Sequence, residues 1–151
     1  MNAFRYLSAL TIIASLSFGC SEALSTPTSP SAAATGAAAL TADQLAGTWN
    51  LVSIQPTGQG EQLTPPGATY TLSFATGRLS TRADCNSCSA AVTVSGQTLT
   101  AGPLMACTLA ACPTMAFERV YTTLLSGEST AAVSAGALVL SSDRGQLRFA
   151  K

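Results

Sequence analysis

Tyr70-Thr71-Leu72-Ser73-Phe74, followed by Thr76-Gly77 and then Arg78 to Ala83, is the stretch whose reading decides the fold. Tyr70, Leu72 and Phe74 alternate with Thr71 and Ser73, the two-residue period of a strand with one buried face. Thr76-Gly77 turns the chain and Arg78–Ala83 returns it. Downstream, Ala90–Val94 and Gln97–Ala101 flank Ser95-Gly96, a second hairpin pattern. Its register sets Thr93 opposite Thr98 and Val92 opposite Leu99. Upstream, Thr48–Ile54 is rich in strand formers, with Trp49, Leu51 and Ser53 on one face and Asn50, Val52 and Ile54 on the other. Residues 55–68 hold Pro56, Gly58, Gly60, Pro65, Pro66 and Gly67 and make a long connection. Three more short runs follow, Ala131–Ser134, Ala137–Ser141 and Gln146–Ala150, with Asp143-Arg144-Gly145 as the last turn.

One segment leaves the two-residue period. Pro113 suits a first helical position, where its missing N–H is no loss. Phe117, Val120, Tyr121, Leu124 and Leu125 then recur at helical spacing, and Gly127 is a natural stop. The expectation is a mainly β fold: a small antiparallel barrel of about eight strands, with one inserted amphipathic helix at about residues 113–126. Closure of the barrel removes exposed strand edges. Trp49, at the first strand, is expected to plug one end.

Composition removes whole classes of chemistry. Charged residues are 9% of the chain, against a usual ~25%. Seven Lys+Arg balance seven Asp+Glu, so no field attracts a phosphate backbone and no nucleic-acid partner is expected. There is no histidine, which excludes Ser-His-Asp and Cys-His catalysis, imidazole metal sites and histidine pH switches. The only lysine is Lys151, the last residue. The domain carboxylates Asp43, Glu61, Asp84, Glu118, Glu128 and Asp143 show no acid/base spacing. They read as solvated, or paired with Arg78, Arg82, Arg119, Arg144 or Arg148. No phosphate loop, EF-hand or nucleophile elbow is present, and no cofactor is expected.

The N-terminal residues read as a targeting segment. Met1 to Arg5 carries one positive charge, and Tyr6 to Phe18 is an uncharged, largely apolar run of thirteen residues, too short to span ~30 Å of hydrocarbon. It ends at Gly19-Cys20, which resembles the bacterial lipoprotein signal, in which the cysteine after the cut takes a diacylglycerol. Residues 1–19 are thus expected to be removed and Cys20 lipidated. Loss of Arg5 leaves six basic side chains against seven acidic ones. Residues 20–40 form a Ser/Thr/Pro/Ala tether with too little bulky apolar surface to order itself. The domain is expected over 41–151, as a monomer held to the membrane in the bacterial cell envelope, facing the periplasm or the exterior.

Three motifs identify a family resemblance: Leu45-Ala46-Gly47-Thr48-Trp49, then Asp84-Cys85-Asn86, then Thr108-Leu109-Ala110-Ala111-Cys112. In order, and followed by Glu118 in the helix, Leu138-Val139-Leu140 and Gln146-Leu147-Arg148-Phe149, they resemble the META domain, or HslJ-like, family over about residues 44–150. The chain departs at Ala110, where the family usually has Met, and at Ala83-Asp84, which replaces the usual glycine before the Cys-Asn. The resemblance implies a lipocalin-like barrel with an inserted helix, in periplasmic or membrane-attached lipoproteins often linked to stress or drug tolerance. It brings no catalytic residues. The function expected is therefore a non-enzymatic envelope lipoprotein, a binding or structural module. The alternative is a lipocalin-type carrier of a small apolar ligand, since Gly-Thr-Trp also resembles true lipocalins. Neither reading names the protein or small molecule that would be the partner.

Cys85, Cys88, Cys107 and Cys112 are the one constellation that could carry chemistry. Export favours two disulfides. A Cys₄ zinc site and a redox dithiol at Cys85-Asn86-Ser87-Cys88 are the competing readings, the latter lacking a helix N-terminus because Ser89–Val94 reads as strand. The resemblance places Cys85 and Cys112 at family positions and leaves Cys88 and Cys107 as an added pair, which implies nested bridges, Cys85–Cys112 and Cys88–Cys107. Loop closures of ~28 and ~20 residues are worth about 3.6 and 3.3 kcal/mol, against ~2 for a local bridge, which favours nesting over two local bridges. The hairpin register, extended backwards, instead brings Cys85 near Ala106 and Cys107. Cys85–Cys107 with Cys88–Cys112 therefore stays open.

Overall fold

The computed structural model describes residues 38–67, 69–102 and 106–151. The expected signal segment and Cys20 lie outside the described residues. The strands are β1 (Thr48–Pro56), β2 (Tyr70–Ala75), β3 (Arg78–Ala83), β4 (Asn86–Ser95), β5 (Thr98–Ala101), β6 (Ala106–Cys107), β7 (Gly127–Ser134), β8 (Ala137–Ser142) and β9 (Gly145–Ala150), with helices α1 (Ala42–Leu45) and α2 (Met115–Leu125). All pairings are antiparallel. They run β3-β2-β1-β9-β8-β7-β5-β4, and β3 pairs with β4 to close an eight-stranded barrel. The short β6 is a ninth strand, laid beside β4 at Cys88 and Ser89.

Alternation builds the core. Trp49, Tyr70, Leu72, Leu79, Leu99, Leu138, Leu147 and Phe149 are buried in one cluster that also takes Tyr121, Leu124 and Leu125 from α2. The two helices sit at opposite ends. Residues of α1 share a surface cleft with the Thr76-Gly77 turn, whereas Thr114, the residue before α2, bonds to Asp84 in the β3–β4 turn. At the α1 end the buried Trp49 donates its indole N–H to the Leu45 carbonyl at 2.8 Å. Leu40 extends the packing one residue upstream of Thr41, donating its N–H to Gly96 O and resting on the core.

Five details differ from the sequence reading. In β1, Ile54 joins Trp49 and Leu51 inside, because a β-bulge between Leu51 and Ser53 leaves Val52 without a partner and flips the phase. The β4–β5 hairpin turns at Gly96-Gln97, pairing Ser95 with Thr98 and Val94 with Leu99, two residues from the expected register. A shift of two keeps every side chain on its expected face, so alternation alone does not detect it. Between Ala101 and Ala106 the pairing slips by two again, which sets Cys107 opposite Cys88 rather than near Cys85. Finally, α2 starts at Met115 with Thr114 as its N-cap and Pro113 outside it. The four-residue α1 was not expected; its mark is the capping box of Thr41 and Gln44, whose side chains bond each other's backbone N–H.

Two glycines test the ladder differently. Gly145, opposite Pro56, has φ +144°, and a Cβ there would overlap the Gln55 carbonyl and lie 2.8 Å from Pro56 Cα. Gly77 has φ +66° but open space around it. Gly77→Ala is therefore expected to cost about 1–2 kcal/mol, the left-handed penalty alone. Gly145→Ala should cost clearly more, as backbone must move; urea unfolding of the two variants checks the order, and equal losses would contradict it.

Burial also predicts an alkaline limit. The Tyr121 ring is wholly buried, and burial pushes its phenol far above the ordinary 10.0; Tyr70 is raised by the same cause. The folded state then holds these protons to higher pH than the unfolded chain. Their contribution is complete below about pH 10 and falls above it by up to ~1.4 kcal/mol per pH unit per tyrosine. Thermal melts between pH 9 and 11.5 should steepen downward above pH 10, and Tyr121→Phe should show the shallower slope. An unchanged slope would contradict the assignment.

Candidate functional site

Two of the three sequence motifs, Asp84-Cys85-Asn86 and Thr108–Cys112, meet Glu118 at the α2 end of the barrel, while Leu45–Trp49 lies at the α1 end. The centre is Asn86, the first residue of β4, only 2% exposed. Its Oδ1 accepts from Thr108 Oγ1 at 2.8 Å and from Ala110 N at 2.9 Å. Its Nδ2 faces both Glu118 carboxylate oxygens at 3.0 Å, the Ala110 carbonyl at 3.1 Å and Cys112 Sγ at 3.1 Å. Donors on one side and acceptors on the other fix which way the amide points. Thr108 completes the clamp by exchanging bonds with Ser87: Ser87 N donates to Thr108 Oγ1, and Thr108 N donates to Ser87 O.

A second chain of bonds runs beside the first. Asp84 Oδ2 accepts from Thr114 N at 3.0 Å and from the Thr114 hydroxyl, which in turn meets Tyr70 OH at 2.7 Å. The Tyr70 ring lies edge-on to Phe117 and Tyr121, with centroids 4.9 and 5.4 Å apart. Tyr121 OH bonds Thr81 Oγ1 at 2.6 Å. An aromatic and hydroxyl chain thus seats α2 on β2 and β3. At the other end of α2, the Arg144 guanidinium donates to the Ser126 carbonyl, a cation against the helix C-terminus.

These contacts correct the reading of the carboxylates. Asp84 and Glu118 do not sit in solvent or against arginines; Asp84 holds Thr114 at the start of α2, and Glu118, within α2, holds Asn86 of β4. Among the described residues the ion pair present is Arg144–Asp143, at 3.8 Å. They also explain the two departures in the motifs. Asp84 has φ +56°, a conformation that favours glycine and that Asp tolerates better than most residues. There its side chain gains the bond to Thr114 that a glycine could not make. At position 110 only backbone N and O contact Asn86, and the Ala110 side chain is exposed, so a smaller residue changes none of those bonds.

The four cysteines lie at the same end. The structure brings Cys85 to Cys112 and Cys88 to Cys107 at disulfide distance, with Cα separations of 5.7 and 4.0 Å. Cys85 is exposed, Cys107 is half-buried, and Cys88 and Cys112 are buried. Among the described residues no group of three or more Cys, Asp or Glu is arranged to hold a metal ion. Cys85-Asn86-Ser87-Cys88 runs from a turn into a strand and not into a helix. Nothing in the cluster has the geometry of a nucleophile beside a base: Glu118 faces an amide.

A family model for the META domain matches residues 39–151. Two solved structures are similar. An NMR structure of a protein from Burkholderia xenovorans has TM-score 0.58 and 21% identity, covering 72% of this chain and 83% of that one. A second NMR structure has TM-score 0.56 and 20% identity, covering 74% of this chain and 94% of that one. At these identities the likeness shows the fold alone. No curated protein matches.

The buried amide predicts a coupled pair. Asn86→Ala strands the Glu118 carboxylate, the Thr108 hydroxyl and the Ala110 N–H, and is expected to cost about 3–5 kcal/mol. Glu118→Ala should cost less, because Asn86 keeps its other partners. In a double-mutant cycle the two losses should be non-additive by about 1–3 kcal/mol. Additive losses would mean that the pair does not act as a unit.

Proposed function

The chain belongs to the META domain family, and from that premise we propose that it is a non-catalytic envelope lipoprotein, held to a membrane through lipidated Cys20. In this reading the barrel is a binding or structural module that works through its outer surface, in the stress-related setting the family suggests. META domain proteins are commonly envelope-associated, and META is not a known enzyme family. Among the described residues no helix is long and apolar enough to cross a membrane; in this reading the attachment is the Cys20 lipid. Two or more acyl chains anchor stably where one does not.

The single observation that carries the reading is what the motif residues do. Asn86, Thr108, Cys112 and Glu118 satisfy one another, so the polar groups of these motifs are spent holding the fold together. The interior supports a module over a carrier: Trp49, Tyr70, Tyr121 and Phe149 occupy the barrel together with leucines from every long strand pair. Closing cysteine bridges at this end suits an oxidising compartment.

Fractionation tests the anchor. Wild-type protein should stay in the membrane pellet through a high-salt wash, and Cys20→Ala should move to the soluble fraction. A variant that pellets at the wild-type level would overturn it. The carrier alternative is tested by native mass spectrometry of protein purified without detergent exchange: the module reading expects the bare chain mass plus lipid, and a stoichiometric apolar adduct that survives in Cys20→Ala would reverse the choice.

A further inference from the structure

The two cysteine pairs differ in how their sulfurs are held, and the difference has a chemical consequence. In a thiol–disulfide exchange the rate depends on which sulfur an incoming thiolate reaches and on how well the other sulfur is received as it leaves. Cys85 occupies the two-residue β3–β4 turn and is exposed. Its partner Cys112 is 6% exposed, yet its Sγ is not in an apolar setting. Asn86 Nδ2 points at it from 3.1 Å, and the Ala110 carbonyl lies 3.5 Å away in position to accept from an S–H. A donor for a departing thiolate and an acceptor for the resulting thiol are both already in place.

The other pair has no such provision. Cys88 is 3% exposed on the inward face of β4, and among the described residues no hydrogen bond reaches its sulfur. A thiolate released there would be buried without a partner, which makes it a poor leaving group.

We infer that Cys85–Cys112 is a reversible thiol–disulfide exchange site, opened by dithiol reductants through attack at Cys85, while Cys88–Cys107 stays closed as the structural bridge. The thiolate of the dithiol attacks Cys85 Sγ, forming a mixed disulfide and expelling Cys112 as a thiolate beside the Asn86 amide. Cys112 then takes from solvent the proton that the attacking thiol gave up, and as a thiol donates to Ala110 O. The second thiol of the reductant then attacks its own bound sulfur and releases Cys85. One disulfide and one dithiol become two thiols and the reductant's disulfide, a transfer of two electrons and two protons. The covalent tie between the β3–β4 turn and the approach to α2 is lost, but Asn86, Asp84 and Thr114 still hold the helix. The site is therefore a redox-dependent tether rather than a folding requirement.

This inference rests on the bridges of the proposed function, and the test separates the two. Oxidised full-length protein is first mapped by peptide mass spectrometry for its pairing. It is then exposed to graded dithiothreitol without denaturant, quenched with iodoacetamide in denaturant, and mapped again, with circular dichroism recorded in parallel. The expected result is alkylation of Cys85 and Cys112 at least 10-fold ahead of Cys88 and Cys107, with the β spectrum retained, and reclosure when an oxidised dithiol is added. Cys85–Cys107 pairing at the first step would overturn the bridges and the inference together. Correct pairing followed by simultaneous opening, by Cys88–Cys107 opening first, or by opening only as the spectrum is lost would overturn the inference alone. In Glu118→Gln, which keeps an acceptor for Asn86, the order should persist; a reversed order in that variant would also count against it.

Discussion

Asn86 places a primary amide where almost no water reaches it, and a buried amide without partners would cost several kcal/mol. Its partners come from segments 22 to 32 residues away in sequence: Thr108, Ala110, Cys112 and Glu118. To satisfy one side chain, the loop after β6 and the helix after it must both be brought to the mouth of the barrel. Once α2 is there, Tyr121, Leu124 and Leu125 complete the core that the strands leave open. The hydrophobic effect supplies most of the energy, but it does not specify the seat. The amide and the Asp84–Thr114–Tyr70 chain do, because each bond works at one position only.

The rest of the architecture follows from needing few charges. A surface with so little charge has few means of repelling neighbouring sheets, and the closed pairing of β3 with β4 leaves the barrel ring without a free edge. Outward positions carry hydroxyls instead; Thr48, Ser73, Ser80 and Ser89 form one row across β1 to β4. Charged groups that remain near the core have assigned partners: Asp84 and Glu118 in the helix seat, Arg144 at the C-terminus of α2, and Lys151 4.6 Å over the Trp49 ring.

Much of this was legible in the sequence, and the parts that were not share a cause. Alternation at Tyr70–Phe74 and helical spacing from Phe117 to Leu125 report local burial, so they gave the barrel and α2 directly. The bulge at Val52 and the register slips near Gly96 and after Ala101 leave residue types unchanged, and only pairing partners reveal them. The helix α1 was readable from Thr41 and Gln44, but four residues are too few for periodicity to show. At the site, motif order collected the right residues without roles. Asn86 read as half of a Cys-Asn pair, and nothing local says that an asparagine will be buried, or that Asp84 and Glu118 will find hydroxyl and amide partners rather than arginines.

Native-state hydrogen exchange tests the central claim most directly: that the amide and carboxylate contacts seat the loop and α2 as part of one cooperative barrel. The N–H groups of Ala110 and Thr114 donate to Asn86 Oδ1 and Asp84 Oδ2 respectively, outside any helix or strand ladder. The account predicts that both exchange with nearly the free energy of global unfolding, alongside the Leu147 and Phe149 amides of β9. Exchange of Ala110 and Thr114 several kcal/mol more easily than the β9 amides, through a local opening that leaves the barrel closed, would contradict it.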